Sequence, residues 1–144
     1  MPLRNSQMIH EISDSFLSLE KAATLFSQPH TIALSKSAIE KVQRARTYLD
    51  IKVKESQDPI YGINTGFGSL CNVPISSSDL EKLQENLIIS HACGAGDVID
   101  EKISKIILFL KIQSLSYGHS GVSLETIERL IYFYNHEIIP IIYS

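Results

Sequence analysis

Tyr61 heads a loop in which Gly62, Gly66 and Gly68 recur within a few residues. Glycine admits positive φ and lets a backbone approach a ligand closely, and Asn64 and Thr65 add polar groups between the glycines. A tyrosine in such a setting can act as a general base, provided that neighbours lower its pKa from the ordinary ~10. The plainer reading is a core or interface tyrosine with its hydroxyl satisfied. Ser90 and His91 form a second polar pair, just before the sequence CGAG. They fall in the last turn of a predicted helix, where partial negative charge favours a protonated imidazole. Here the plainer reading is a histidine that caps its own helix.

Other chemistries are excluded by spacing. His10, His30, His91, His119 and His136 are scattered, and His136-Glu137 opens like a zinc-protease helix only to meet Pro140 where the second histidine would stand. Cys71 and Cys93 lack the short spacing of a zinc site, so no metal is expected. GINTGFG at 62–68 is not the dinucleotide fingerprint, whose glycines fall at i, i+2 and i+5, and no Gly-Lys-Ser/Thr follows it. The two cysteines make no disulfide framework and read as buried small residues. Free thiols suit a reducing cytoplasm.

The chain has 144 residues, with 13 Lys+Arg against 16 Asp+Glu and a net charge of −3. That balance argues against nucleic acid, which asks for a basic stripe, and against a polybasic membrane anchor. No apolar run reaches the ~20 residues of a membrane span, and the polar start MPLRNSQMIHEISDS is no secretory signal. Hydrophobic residues at 44% and charged residues at 20% describe an ordinary globular chain of one domain.

The elements that must position these residues are mostly helices. Residues 1–15 read as loose, within a loose N-terminal segment 1–29 that also holds a short helix over 17–26. Thr31–Leu34 is a candidate strand. Ser37 and Glu40 have capping-box spacing ahead of the stripe Ala38, Val42, Ala45, Leu49 and Val53. A glycine-punctuated loop spans 60–76. Ser78 and Glu81 repeat the capping spacing before Leu80, Leu83, Leu87 and, less regularly, Ile88. Gly94 is placed to end that helix as a left-handed cap. Asp100 can cap a helix near 101–117 that is apolar nearly all round and so expected to be buried on most sides. Gly118–Gly121 breaks the chain before a last helix marked by Leu124, Ile127, Leu130, Ile131 and Tyr134. The run IIPIIY at 138–143 is almost wholly apolar, which suggests missing packing partners.

Four segments together are specific. YGINTGFGSL at 61–70, NLIISHACGAG at 86–96, KIQSLSYGHSGV at 111–122 and IIPII at 138–142 occur in this order. They resemble the N-terminal region of the aromatic amino acid ammonia-lyase family, its histidine-selective branch in particular, over residues 30–144. The resemblance implies a mainly α-helical fold, the first part of a larger helical lyase with a small irregular N-terminal portion. It implies elimination of ammonia from an aromatic amino acid, L-histidine giving urocanate being favoured. Tyr61 matches the family's base, on a loop whose backbone is set by Gly62, Asn64, Thr65, Gly66 and Gly68. Ser90 and His91 match the two positions that contact the substrate side chain, and a Ser-His pair resembles the histidine-selective version. An imidazole can hydrogen-bond to that pair, whereas an apolar pair would leave its nitrogens unpaired.

The family's electrophile is a methylidene-imidazolone group formed from an internal Ala-Ser-Gly. No Ala-Ser-Gly occurs in 1–144. Ser123 also stands where many members carry a basic residue. The chain is therefore expected to be the N-terminal part of an ammonia-lyase and inactive alone, the complete enzyme being a cytoplasmic homotetramer. A phenylalanine or tyrosine ammonia-lyase or an aminomutase is the alternative within the class. A non-catalytic fragment that associates with other lyase chains is the alternative outside it.

Overall fold

A computed structural model of the chain describes residues 8–55, 58–76 and 78–144. The chain is mainly α-helical, as the periodicities predict. It divides into two compact units, one built from residues 1–52 with 97–144 and the other from 53–96.

The first unit begins with strand β1 (Met8–Ile12), helix α1 (Leu19–Phe26) and strand β2 (His30–Leu34). The strands pair in parallel, from Met8 opposite His30 to Ile12 opposite Leu34. Residues 8–12 were expected to be loose, and the strand corrects that expectation; residues 1–7 lie outside the described residues. The cause is non-local. Pairing with β2 supplies the backbone hydrogen bonds, Ile12 is fully buried in the shared core, and the Ser35 N–H extends the ladder to the Ile12 carbonyl at 2.8 Å. The side chain of Ser18 caps α1 by accepting from the Lys21 N–H at 3.3 Å.

Helix α2 (Lys36–Glu55) carries the predicted stripe, with Ala38 and Val42 buried. Its cap is not Ser37. The Ser35 hydroxyl accepts from the Ala38 N–H at 3.2 Å, and Ser37 donates instead to Asp14. An ion pair from Lys41 and that hydrogen bond hold the Asp14 carboxyl below its ordinary pKa.

Helix α4 (Glu101–Ser116; α3, in the second unit, is described below) starts at Asp100, whose carboxylate accepts from the Lys102 N–H at 2.8 Å, as expected. Helix α5 (Leu124–Asn135) is capped by Ser123. Both pack with the sheet around a core of Ile12, Leu25, Ile32, Val42, Phe109, Ile112, Ile127 and Tyr134. The expectation that α4 is buried on most sides fails within this unit. Phe109 and Ile112 are fully buried, but Ile103, Ile107 and Leu110 are 52%, 44% and 48% exposed. The partners that this unit supplies cover one side of the helix only. The apolar run near the end is tied by a short bridge, Ile99 N–H to Ile142 O at 3.0 Å and Ser144 N–H to Asp97 O at 2.9 Å.

Asn135 anchors the sheet to α5. Its Oδ1 accepts from the Ile32 N–H at 2.8 Å and its Nδ2 donates to the Ile32 carbonyl at 2.9 Å. Backbone groups on the edge of β2 away from β1 are thereby satisfied by one side chain.

Candidate active-site loop and helix end

Tyr61 and the Ser90–His91 pair both belong to the second unit. The segment 60–64 folds into a turn, with the N–H groups of Ile63 and Asn64 donating to the Ile60 carbonyl at 3.0 and 3.2 Å. The Asn64 side chain closes that turn. Its Oδ1 accepts from the Ile60 N–H at 2.6 Å and its Nδ2 donates to the Asp58 carbonyl at 3.1 Å. Tyr61 lies inside this clasp.

The loop then doubles back. The Gly66 N–H donates to the Val73 carbonyl at 3.1 Å and the Ile75 N–H to the Asn64 carbonyl at 2.9 Å. Thr65, fully buried, bridges to Pro74 and donates its hydroxyl to the Gly66 carbonyl at 3.0 Å. A single 3-10 turn follows at Gly68–Leu70.

Each feature has a glycine at its pivot. Gly62 and Gly68 have φ of +76° and +58°, a region costly for other residues. Gly66 has another reason. A Cβ there would lie 2.7 Å from the Leu70 Cβ and 2.9 Å from its carbonyl oxygen.

The consequence is a hydrogen-bonded loop that leaves Tyr61 outward, 64% exposed, with the Phe67 ring edge-on at 6.2 Å. Asn64 and Thr65 do not offer their side chains outward, because both are engaged within the loop.

Helix α3 (Leu80–His91) carries the other pair. Leu80, Leu83 and Leu87 form its half-buried side, while Ile88 and Ile89 are exposed. Its start differs from the capping box expected at Ser78. The N-cap is Asp79, whose carboxylate accepts from Ser76 at 2.7 Å rather than from the helix. Its end differs too. Ala92 is the C-cap, and the positive φ falls at Gly96 (+90°) rather than Gly94. Cys71 is half-buried, but Cys93 is exposed, which corrects the reading of both thiols as buried.

At that helix end the Ser90 hydroxyl donates to the Leu87 carbonyl at 2.8 Å. His91 Nδ1 lies 2.9 Å from the same oxygen and 3.0 Å from Ser90 Oγ. Both side chains are exposed. Among the described residues, no hydrogen bond or ring contact joins Tyr61 to Ser90 or His91.

A second polar cluster, in the first unit, escaped sequence reasoning. His30 Nδ1 faces the Gln28 carbonyl at 2.9 Å, so Nδ1 carries the proton and Nε2 accepts from the Tyr134 hydroxyl at 2.8 Å. Burial, with the nearby Glu137 carboxylate, pushes Tyr134 up to about 12. Lys105 pairs with Glu137 at 2.6 Å and stands 4.9 Å from the Tyr134 ring centroid. These residues border a cavity of about 450 Å³ with Phe26 and Ile106. His30 and Tyr134 are more than a hundred positions apart, and no local pattern announces such a pair.

The chain is similar to known proteins of one family. Residues 17–144 match the family model of aromatic amino acid lyases. The match begins earlier than the resemblance read from residue 30. The histidine ammonia-lyase of Deinococcus radiodurans is 41% identical over 133 residues, covering 92% of this chain and 25% of that protein. A tyrosine aminomutase mutant with bound ligand superposes with a TM-score of 0.84 at 27% identity, over 94% of this chain and 26% of that one. The Trypanosoma cruzi histidine ammonia-lyase superposes with a TM-score of 0.75 at 32% identity, over 89% of this chain and 25% of that one. The chain spans about a quarter of the length of the curated relatives it matches.

Proposed function

Because the chain belongs to the aromatic amino acid lyase family, we propose that it supplies the base and one wall of the substrate pocket in an enzyme that converts L-histidine to urocanate and ammonia. In this reading Tyr61 takes the proton from the β-carbon. The Cβ–H and Cα–N bonds break, a carbon–carbon double bond forms, and ammonia leaves. The turn clasped by Asn64 fixes the backbone that carries Tyr61, and placement of a reacting group is a large part of catalytic advantage.

Residues 1–144 contain no Ala-Ser-Gly and so do not fit as the source of a methylidene-imidazolone group. We assign that group to sequence outside these residues. A homotetrameric, cytoplasmic enzyme remains part of the same proposal.

The observation that carries the histidine reading is the Ser90–His91 pair at the exposed end of α3. A second reading, an aminomutase acting on an aromatic amino acid, is favoured by the superposition on tyrosine aminomutase. One experiment separates them. Residues 17–144 replace the matching quarter of the Deinococcus relative, and the product is assayed with L-histidine, L-tyrosine and L-phenylalanine. The histidine reading expects urocanate from L-histidine in clear preference. Formation of a β-amino acid, or preference for tyrosine or phenylalanine, would overturn it.

A further inference from the structure

We propose that Ser90 is a positioning residue that, together with the Leu87 carbonyl, keeps a proton of His91 on Nδ1, so that in the neutral ring Nε2 is presented as a hydrogen-bond acceptor for a substrate N–H. The inference rests on the histidine reading above, and it departs from the role that the resemblance implies for Ser90, which is contact with the substrate.

The geometry is a closed triangle. Leu87 O, Ser90 Oγ and His91 Nδ1 are separated by 2.8, 2.9 and 3.0 Å. A carbonyl oxygen only accepts, so each neighbour at hydrogen-bond distance must bring a proton. Ser90 has one hydroxyl proton, and it is directed at Leu87 O. The remaining proton must stand on His91 Nδ1, facing both Leu87 O and a lone pair of Ser90 Oγ. With its only proton committed, Ser90 has no donor left for a ligand.

Nε2 carries no hydrogen bond among the described residues, and His91 is exposed. The partner that a neutral ring of this tautomer selects is a donor. The imidazole of histidine has one and a phenyl ring has none. The pair of ring nitrogens is thus divided, Nδ1 for the protein and Nε2 for the ligand, a division typical of histidines oriented by a carbonyl.

Long-range proton–nitrogen NMR of the chain labelled at histidine nitrogen tests the clamp without any substrate. At a pH where the ring is neutral, His91 is expected as the Nδ1–H tautomer. Ser90→Ala should shift it toward the mixture of free histidine, and Ser90→Thr, which keeps the hydroxyl, should restore it. An Nε2–H tautomer in the parent chain, or a Ser90→Ala spectrum unchanged at His91, would overturn the proposal.

Steady-state kinetics in the chimaera of the preceding section form the second arm. Ser90→Ala should raise KM for L-histidine roughly three- to tenfold, the range expected for loss of one oriented hydrogen bond, with kcat within about twofold and rescue by Ser90→Thr. A kcat loss without a KM change would overturn the positioning role. If the parent chimaera prefers another substrate, the function reading fails and with it the role of Nε2. The tautomer result then still decides whether Ser90 and Leu87 clamp the ring.

Discussion

Asn135 closes its side-chain amide on both backbone groups of Ile32, accepting at 2.8 Å and donating at 2.9 Å. One side chain on α5 thereby stands where a third strand would stand, and the short parallel sheet is fixed to the helix that carries Tyr134. Ile32 is 2% exposed. Asn135→Ala should cost about 2–6 kcal/mol, from two part-buried backbone groups left unpaired at ~1–3 kcal/mol each. Denaturant unfolding measures it. A change below about 0.5 kcal/mol would mean that the edge finds other partners.

Tyr134 ties the same helix to His30, and its titration gives a pH signature. Burial first, then the Glu137 carboxylate, raise its pKa in the folded chain to about 12, above the ordinary ~10 of an unfolded chain. The folded state therefore holds the hydroxyl proton more tightly. The stability is fully present below about pH 10 and is lost as pH rises through about 12. Unfolding free energy should fall across that window, and Tyr134→Phe should flatten the fall while lowering stability at pH 7 by about 1 kcal/mol. An alkaline profile identical in the two chains would contradict the assignment.

Gly66 tests how the Tyr61 loop is held. The Cβ of Gly66→Ala would fall 2.7 Å from the Leu70 Cβ and 2.9 Å from its backbone oxygen, so the 3-10 turn must move. Gly68→Ala meets no atom but must adopt a φ of +58°, a strain of ~1–2 kcal/mol. In the chimaeric enzyme both should lower kcat by more than they raise KM, since they displace Tyr61 and leave α3 in place. A pure KM effect would place the loop in binding rather than in base orientation.

Helix periodicity made α1, α2, α3 and α5 legible, because a 3.6-residue apolar stripe is a local signal. Asp100 was legible for the same reason. The cap of α2 was not, since Ser35 and Ser37 are both serines and only the approach of Asp14 draws Ser37 away from the helix. Strand β1 was hidden because a parallel partner about twenty positions later supplies its backbone hydrogen bonds. At the site, Tyr61 and the loop glycines were legible from type and spacing. The Asn64 clasp was not: an asparagine in a loop looks the same in sequence whether it faces a ligand or its own turn. The His30–Tyr134 bond joins the two ends of the chain and leaves no pattern in either.

The isolated 144-residue chain should give no urocanate from L-histidine, because it contains no Ala-Ser-Gly to form the electrophile. It should also self-associate. Phe16, Leu19, Ile103 and Leu110 are 83%, 81%, 52% and 48% exposed, a set of apolar side chains that favours burial against another surface. Ultraviolet absorbance over hours and size-exclusion chromatography across a concentration series check the two statements. Reproducible urocanate, or a sharp monomer peak at every concentration, would contradict them.

Whether Tyr61 is the base of a histidine-eliminating enzyme is decided by the rate of urocanate formation by Tyr61→Phe. Phenylalanine keeps the ring against Phe67 and removes only the proton acceptor. With residues 17–144 in the chimaeric lyase, the account predicts a kcat lower by ~10²–10⁴, the usual effect of removing a general base, with KM for L-histidine nearly unchanged. A kcat within a few-fold of the parent would show that another group takes the proton.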